Sequence, residues 1–248
     1  MHRDELENHL SQLLDTPRFR DYCPNGLQVE GCDNIHSIIS GVTASMDLLE
    51  AAIAAKADTI LVHHGYFWRG ENACLTGIKK RRIALLMTNN INLFAYHLPL
   101  DSHPELGNNA LLAQKLDLIE TGRFGEQDIA VLGKPSQAIT LGTLAEKIAL
   151  KLSREPMMIG DPNKPIQKIA WCTGAAQSYF DEAAQMGIDA FITGEISEQT
   201  VHTARESGVA FLSAGHHATE RYGVQALGEH IAQKFGVKHQ FIDIDNPV

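Results

Sequence analysis

The sequence predicts an α/β fold built as a duplicated α/β unit, two interlocked subdomains related by a pseudo-dyad with a metal site between them. Three observations predict it. Short apolar runs alternate with stretches of helical periodicity, the pattern of βαβ units and a parallel sheet with helices on its faces. Gly41, Ser45, Asp58 and the pair His63-His64 recur in order as Gly174, Ser178, Asp189 and the pair Gly194-Glu195. Finally, "HLPLD" places Asp101 four residues after His97, as "HHATE" places Glu220 four residues after His216. Self-similarity of this kind is what a duplicated unit leaves in a chain, and it divides this one into halves at 1–124 and 125–248.

The elements follow in order. Apolar positions at helical spacing predict a first helix over 3–15, and Pro24, Asn25 and Gly26 a loop. A strand at 36–40, an amphipathic helix from Met46 to Lys56 and a strand through "ADTILVHHG" form the first βαβ. A helix over 77–88, the strand "INLFAYH", the loop "LPLDSHPELG" and a helix from Asn108 to Leu116 complete the half. Residues 120–137, rich in glycine and polar residues, read as a linker. The second half begins with a helix near 143–152, a turn at "DPNKP" and the strand "IQKIAWCTG". Then come a helix over 178–187, the strand "IDAFITG", a helix over 197–207, the strand "VAFLSAGHH", a long helix to Phe235 and a last strand "HQFIDI". A closed barrel of eight regular βα units does not fit this order.

Composition narrows the functional classes. With 248 residues, 44% of them hydrophobic, the chain can bury a sizeable core. No apolar run approaches the roughly 18 residues of a membrane span, and the charged start "MHRDELENHL" lacks the apolar stretch of a secretory signal, so a soluble, cytoplasmic protein is expected. Cys23, Cys32, Cys74 and Cys172 are widely separated and read as reduced thiols rather than a zinc or redox motif. The net charge of −9 argues against broad affinity for nucleic acid. Dinucleotide-binding, P-loop, nucleophile-elbow and zincin motifs are absent.

The chemistry-bearing residues collect at strand ends. In doubly wound sheets ligands bind beyond the carboxyl ends of the strands, where His63, His64, His97, Asp101, His216 and Glu220 are expected. Neighbouring side chains on a strand point to opposite faces. Two adjacent imidazoles at the point where the chain leaves the sheet are therefore read as diverging to serve two neighbouring ions. Imidazoles suit zinc, iron, nickel and manganese, while carboxylates offset the charge of two close dications. By contrast His9, His36, His202, His230 and His239 read as ordinary hydrogen-bonding residues, His103 as an exposed loop residue, and His217 as a neighbour of the ligands or part of a lid. Glu195, standing where the first half has its paired histidines, is a candidate general base or hydrogen-bond acceptor beside the metals.

The motifs "GVTAS", "VHHGYFW", "HLPLDSHPELGNN", "TGE" and "GHHATE", with "NGLQVEG" before them and "FIDIDNP" after, resemble the bacterial YbgI branch of the Nif-three-like family. Members of that branch are often labelled GTP cyclohydrolase I type 2 homologues, and the resemblance covers nearly the whole chain. It implies two α/β subdomains, a dinuclear metal centre and a toroidal homohexamer with its sites facing an internal cavity. Carried over by motif, the ligands of two divalent ions would be His63, His64, Asp101, His216 and Glu220. His97 is outside that ligand set, which leaves it, with Glu195, as a catalytic candidate beside the metals.

Two weaker features complete the reading. Lys79-Lys80-Arg81-Arg82 is a basic cluster able to meet phosphates of a nucleotide or single strand, or a solvated helix face. Tyr66, Phe67 and Trp68 offer either a stacking wall for a base or part of the core. The leading expectation is a dinuclear metal-dependent hydrolase acting on a nucleotide or a related heterocyclic or phosphorylated compound. The competing one is a non-enzymatic metal-binding protein with a regulatory or metal-handling role.

Overall fold

Apolar runs become strands wherever they are flanked by turn residues. In the computed structural model, which describes residues 1–248, they are β1 (Gly26–Val29), β2 (Ser37–Thr43), β3 (Thr59–His64), β4 (Asn92–Ala95), β5 (Leu118–Phe124), β6 (Ala130–Pro135), β7 (Ile139–Thr140), β8 (Met157–Ile159), β9 (Pro165–Ile166), β10 (Ile169–Trp171), β11 (Ala190–Thr193), β12 (Ala210–Ser213) and β13 (Lys238–Phe241). Together with the intervening helices they make a mixed α/β fold. It falls into two units, Met1–Leu100 with Gly223–Ile244, and Asp101–Tyr222 with Asp245–Val248.

The first unit holds a five-stranded sheet in the order β1-β4-β3-β2-β13. Four strands run parallel and β1 is antiparallel to β4. Parallel strands covered on both faces read as continuous apolar runs, and "TILV" of β3 is buried throughout. The helix Met46–Ala54 starts where Ser45 accepts the Leu48 N–H at 3.3 Å. It lays Leu48, Leu49 and Ala52 on Ile39, Ile60 and Val62, and the helix Gly77–Thr88 adds Ile83 and Leu86 to the same core. One Asp58 carboxylate oxygen accepts the N–H groups of His36 and Ser37 at 2.7 and 2.9 Å, tying the start of β2 to that of β3.

The second unit holds a six-stranded sheet in the order β5-β6-β10-β11-β12-β8, with β10, β11 and β12 parallel and the outer pairings antiparallel. Its core joins Trp171, Ile192 and Leu212 to Leu144 and Ile148 of the helix Leu141–Leu152, which Thr140 caps. Asp189 repeats the work of Asp58 here, accepting the N–H groups of Gln167 and Lys168 at 2.8 and 2.9 Å.

Several elements differ from the sequence expectation. Residues 120–137 are not a linker: β5 and β6 form an antiparallel hairpin in the second sheet. That pairing puts 118–124 in the second unit, and the parallel pairing of β13 with β2 places the last strand in the first unit. "LPLDS" is a short helix, Leu98–Ser102, and not a loop, and "IQKIAWCTG" is split into β9 and β10. The histidines of "GHHATE" open the helix His216–Phe235 instead of ending a strand. No helix is long and apolar enough to cross a membrane.

Candidate metal centre

In the first unit the carboxyl ends of three parallel strands meet around two histidines. β3 ends on His63 and His64, β2 ends opposite at Thr43, and β4 runs on to Tyr96 and His97. His63 is fully buried and donates from Nδ1 to the Tyr96 carbonyl at 2.8 Å, which leaves the ring lone pair on Nε2, the form a metal ligand needs. His64 Nδ1 shares a hydrogen bond of 3.2 Å with the Thr43 hydroxyl. The two rings do not diverge as strand alternation suggests: their centroids are 4.6 Å apart. Gly65 explains how the chain turns away so abruptly, since a Cβ there would lie 2.2 Å from Oε1 of Gln28 and 2.7 Å from Cβ of Ala95. Gln28 grips the turn from both sides, accepting the Tyr66 N–H at 2.7 Å and donating to the Tyr66 carbonyl at 3.1 Å.

His97 joins this pair, with its ring centroid 5.1 Å from that of His63 and 5.8 Å from that of His64. One nitrogen from each of the three imidazoles lies within 4.8 Å of the others, close enough for a common ion. Behind His97, Asp21 accepts its Nδ1 hydrogen at 2.7 Å. Burial by itself would raise the Asp21 carboxyl. The hydrogen bond and charge of His97, with the hydrogen bonds of Asn25 and Tyr22, outweigh burial and hold it below the ordinary carboxylate value.

The second unit contributes carboxylates. Asp101 is only 5% exposed; it accepts from Asn108 Nδ2 at 2.7 Å and from the Thr173 hydroxyl at 3.3 Å. Asn109 braces the same turn, donating to the Asp101 carbonyl at 3.3 Å and accepting the Thr173 N–H at 3.0 Å. Glu220, 2% exposed, stands one helical turn after His216. A Cβ on Gly174, which sits at φ +71, would come within 2.1 Å of Glu220 Oε1, and one on Gly194 within 2.5 Å of the His216 Cα. Both glycines therefore clear space that the His216–Glu220 turn fills.

His216 lies between two carboxylates, with Nδ1 hydrogen-bonded to Glu195 at 2.7 Å and Nε2 3.0 Å from an oxygen of Glu220. Burial pulls its pKa down, but the hydrogen bonds and charges of Glu220 and Glu195 prevail and push it up to about 9. Oxygens of Asp101 and Glu220 lie within 4.8 Å of each other, and two such buried carboxylates call for a cation. Their charges, after burial itself, also raise the Cys172 thiol far above its usual value, which makes it a poor metal ligand.

The donor set fits divalent transition ions: imidazoles held by neutral partners in one unit, buried carboxylates with amide and hydroxyl support in the other. Each unit thus gathers its own share of the expected ligands, His63 and His64 in the first, Asp101, His216 and Glu220 in the second. Glu195 is set against the Nδ1 face of His216. His217 is buried with its N–H on the Val248 carbonyl, and His103 Nδ1 accepts N–H groups of its own turn. Tyr66 belongs to the first core, its hydroxyl on the Ala44 carbonyl at 2.8 Å. Lys79 bridges Glu71 at 3.3 Å and lies 5.0 Å over the Phe67 ring. Asp21, Gln28, Asn108 and Asn109 were not assigned roles by sequence reasoning; the runs "NGLQVEG" and "GNN" were the available signal for three of them.

A family model described as Duf34/NIF3 (NGG1p interacting factor 3) matches residues 1–247. A protein of Pseudomonas aeruginosa named GTP cyclohydrolase 1 type 2 homolog is 52% identical over 245 residues, 98% of this chain and 97% of that one. Its namesake in Haemophilus influenzae is 53% identical over 251 residues and is covered in full, as is this chain. Among solved structures, the protein ybgI, described as of unknown function, superposes with a TM-score of 0.97 at 47% identity over the whole of both chains.

Proposed function

The chain belongs to the Duf34/NIF3 family, and from that premise we propose that it is a dinuclear metal-dependent hydrolase acting on a nucleotide or a related heterocyclic or phosphorylated compound. In this reading His63, His64, Asp101, His216 and Glu220 converge across a pseudo-dyad to hold two ions, with zinc, iron, manganese and nickel all suited to the donors. The observation that carries it is the placement of His216: its two ring nitrogens lie 2.7 Å from a Glu195 oxygen and 3.0 Å from an oxygen of buried Glu220, where a cation would satisfy the same carboxylates. When bound, two divalent ions supply Lewis acidity for an electrophilic carbon or phosphorus and lower the pKa of an attacking water.

The chain's own residues do the rest. His216 would hold an ion through Nε2, giving up any proton there to solvent, while Glu195 would keep the hydrogen on Nδ1 and fix the ring. Asp101, steadied by Asn108 and Thr173, presents a carboxylate whose orientation is set before anything binds. Buried His63 donates its Nδ1 hydrogen to the Tyr96 carbonyl, which turns Nε2 to the ligand role. His97, beside the histidine pair, offers a proton acceptor near the reacting group. The substrate class follows the naming of the relatives, which are called homologues of a GTP cyclohydrolase. Assembly as a homohexamer belongs to the same reading, and light scattering showing a stable monomer would remove it.

The test combines metal analysis with a panel of nucleoside phosphates, cyclic nucleotides and pterin-like heterocycles. The reading expects close to two ions per chain and turnover of at least one compound class. Glu220→Gln, which keeps size and removes charge, should abolish both. Two ions bound without turnover of any class would favour a metal-handling protein, and one ion at saturation would end the dinuclear proposal.

A further inference from the structure

Asp21 is the group near the histidines that the expected ligand set does not use. Its side chain is 3% exposed, and its two oxygens take four hydrogen bonds. Oδ1 accepts from the Tyr22 N–H at 2.6 Å and from His97 Nδ1 at 2.7 Å; Oδ2 accepts from Asn25 Nδ2 at 2.8 Å and from the Leu98 N–H at 2.9 Å. Asn25 closes the circuit by accepting the His97 backbone N–H at 2.7 Å. One loop thereby holds both the ring and the backbone of a residue 76 positions later in the chain. Trp68 meets the His97 ring edge-on at 5.0 Å and limits its rotation.

A carboxylate with four donors is stable only as the anion, and an anion on Nδ1 dictates which ring nitrogen carries the hydrogen. A merely structural brace would need the ring's position but not its tautomer. Here the tautomer matters, because a nitrogen of His97 lies within 4.8 Å of one from each of His63 and His64. We propose that Asp21 is a positioning residue: it fixes His97 with its hydrogen on Nδ1, so that the Nε2 lone pair is the hydrogen-bond acceptor for a substrate N–H, hydroxyl or water at the His63–His64 pair. The proposal rests on the hydrolytic reading for its purpose, while the tautomer itself is a property of the chain and is measured without any substrate.

The test is a two-bond proton–nitrogen correlation spectrum of uniformly 15N-labelled protein, with and without zinc. His97 should show a protonated Nδ1 and a bare Nε2 in both states. Asp21→Asn should move it to the opposite tautomer or a mixture, lower kcat by about 10–100-fold with KM unchanged, and leave metal content at two ions. Asp21→Glu should restore the wild-type tautomer in part. If Asp21→Asn does not fold, Asn25→Ala, which loosens the same carboxylate, should give a smaller shift in the same direction, and the wild-type spectrum decides regardless. An Nε2-protonated His97 in the wild-type protein overturns the proposal, as does an unchanged tautomer in Asp21→Asn. Metal loss in that variant overturns it too, because His97 would then be a ligand. A wild-type protein with the expected tautomer but no turnover would sink the hydrolytic reading and leave the tautomer assignment standing.

Discussion

His63 and His64 close a parallel strand of the first unit and His216 follows one in the second, yet they are supported by opposite chemistry. Behind His63 and His64 stand a carbonyl and a hydroxyl, neutral partners that suit a neutral ring. Around His216 stand two carboxylates, which suit a charged one. Under the proposed function the first half-set would take up a metal as folded, while the second would exchange the His216 proton for one. Histidines near strand ends can thus be supported by neutral or by charged partners, and stability should respond to metal and pH in different ways on the two sides.

The sharpest way to break this comparison is to fill the space that Gly174 leaves for Glu220. Gly174→Ala meets Glu220 Oε1 at 2.1 Å on a backbone at φ +71; Gly187→Ala has nearly the same backbone, φ +69, and nothing within 4 Å. Both should lose about 1–2 kcal/mol for the left-handed conformation. Gly174→Ala should lose about 1–3 kcal/mol more through overpacking, together with bound metal, because Glu220 can yield only by abandoning His216. Urea melts and metal analysis of the two variants check this. Equal losses with metal retained in both would show that the close approach of Gly174 to the carboxylate is not what shapes the site.

Local pattern made part of this legible. "VHHG" and "GHHATE" announced the histidines, and the strand–helix alternation announced both sheets. The hairpin of β5 and β6 escaped because its outer strand is mostly exposed and its register shifts between Glu120 and Gly122, which breaks the two-residue alternation. The supports of the site escaped for a different reason. Asp101 meets Thr173 across 72 residues and His97 meets Asp21 across 76, so only the folded chain shows which amide, hydroxyl or carboxylate stands behind each ligand. The close approach of Gln28 and Ala95 to Gly65, just past His63 and His64, was equally hidden, since it too joins residues far apart in the chain.

The pH dependence of metal-free protein should differ in sign between the two sides. His216 has a pKa raised from 6.5 to about 9, so the stability it contributes is complete below 6.5 and is lost as pH rises through about 9. The loss should be on the order of 3 kcal/mol. Asp21 has a pKa lowered from 3.8, so its contribution is present above 3.8 and is lost as pH falls through the depressed value. Trp171 lies in the core of the second unit and reports on it alone when Trp68 is replaced by Phe. In that protein the urea midpoint should fall between pH 6.5 and 9 without metal and hold steady with zinc bound. A metal-free midpoint that is flat over this range would mean that His216 is not carrying the proton.

The smallest expected effect separates a neutral support from a charged one. Thr43→Val removes the hydroxyl beside His64 while keeping the branched shape, and Glu195→Gln removes the charge beside His216 while keeping the length. A neutral hydrogen bond is worth about 1 kcal/mol net and one to a charged group about 1.5–3 kcal/mol. Thr43→Val should therefore weaken metal binding by less than about tenfold, and Glu195→Gln by about 10–100-fold, the usual cost of losing a partner behind a metal-binding histidine. Neither change removes a ligand, so both proteins should still fill at saturating metal. Glu195→Gln should in addition bring the His216 pKa down from about 9, since one of its two stabilising carboxylates has become neutral, and with it the proton that metal must displace. That second effect opposes the first: a ring that ionises more easily competes less against metal at neutral pH. Competition titrations with a zinc chelator at pH 6 and pH 9 distinguish the two contributions, because only the proton-linked one shrinks, to about twofold, as pH reaches the His216 pKa of about 9. If Thr43→Val proves as damaging as Glu195→Gln at both values, the distinction between a half-set supported by neutral partners and one supported by charged partners is wrong.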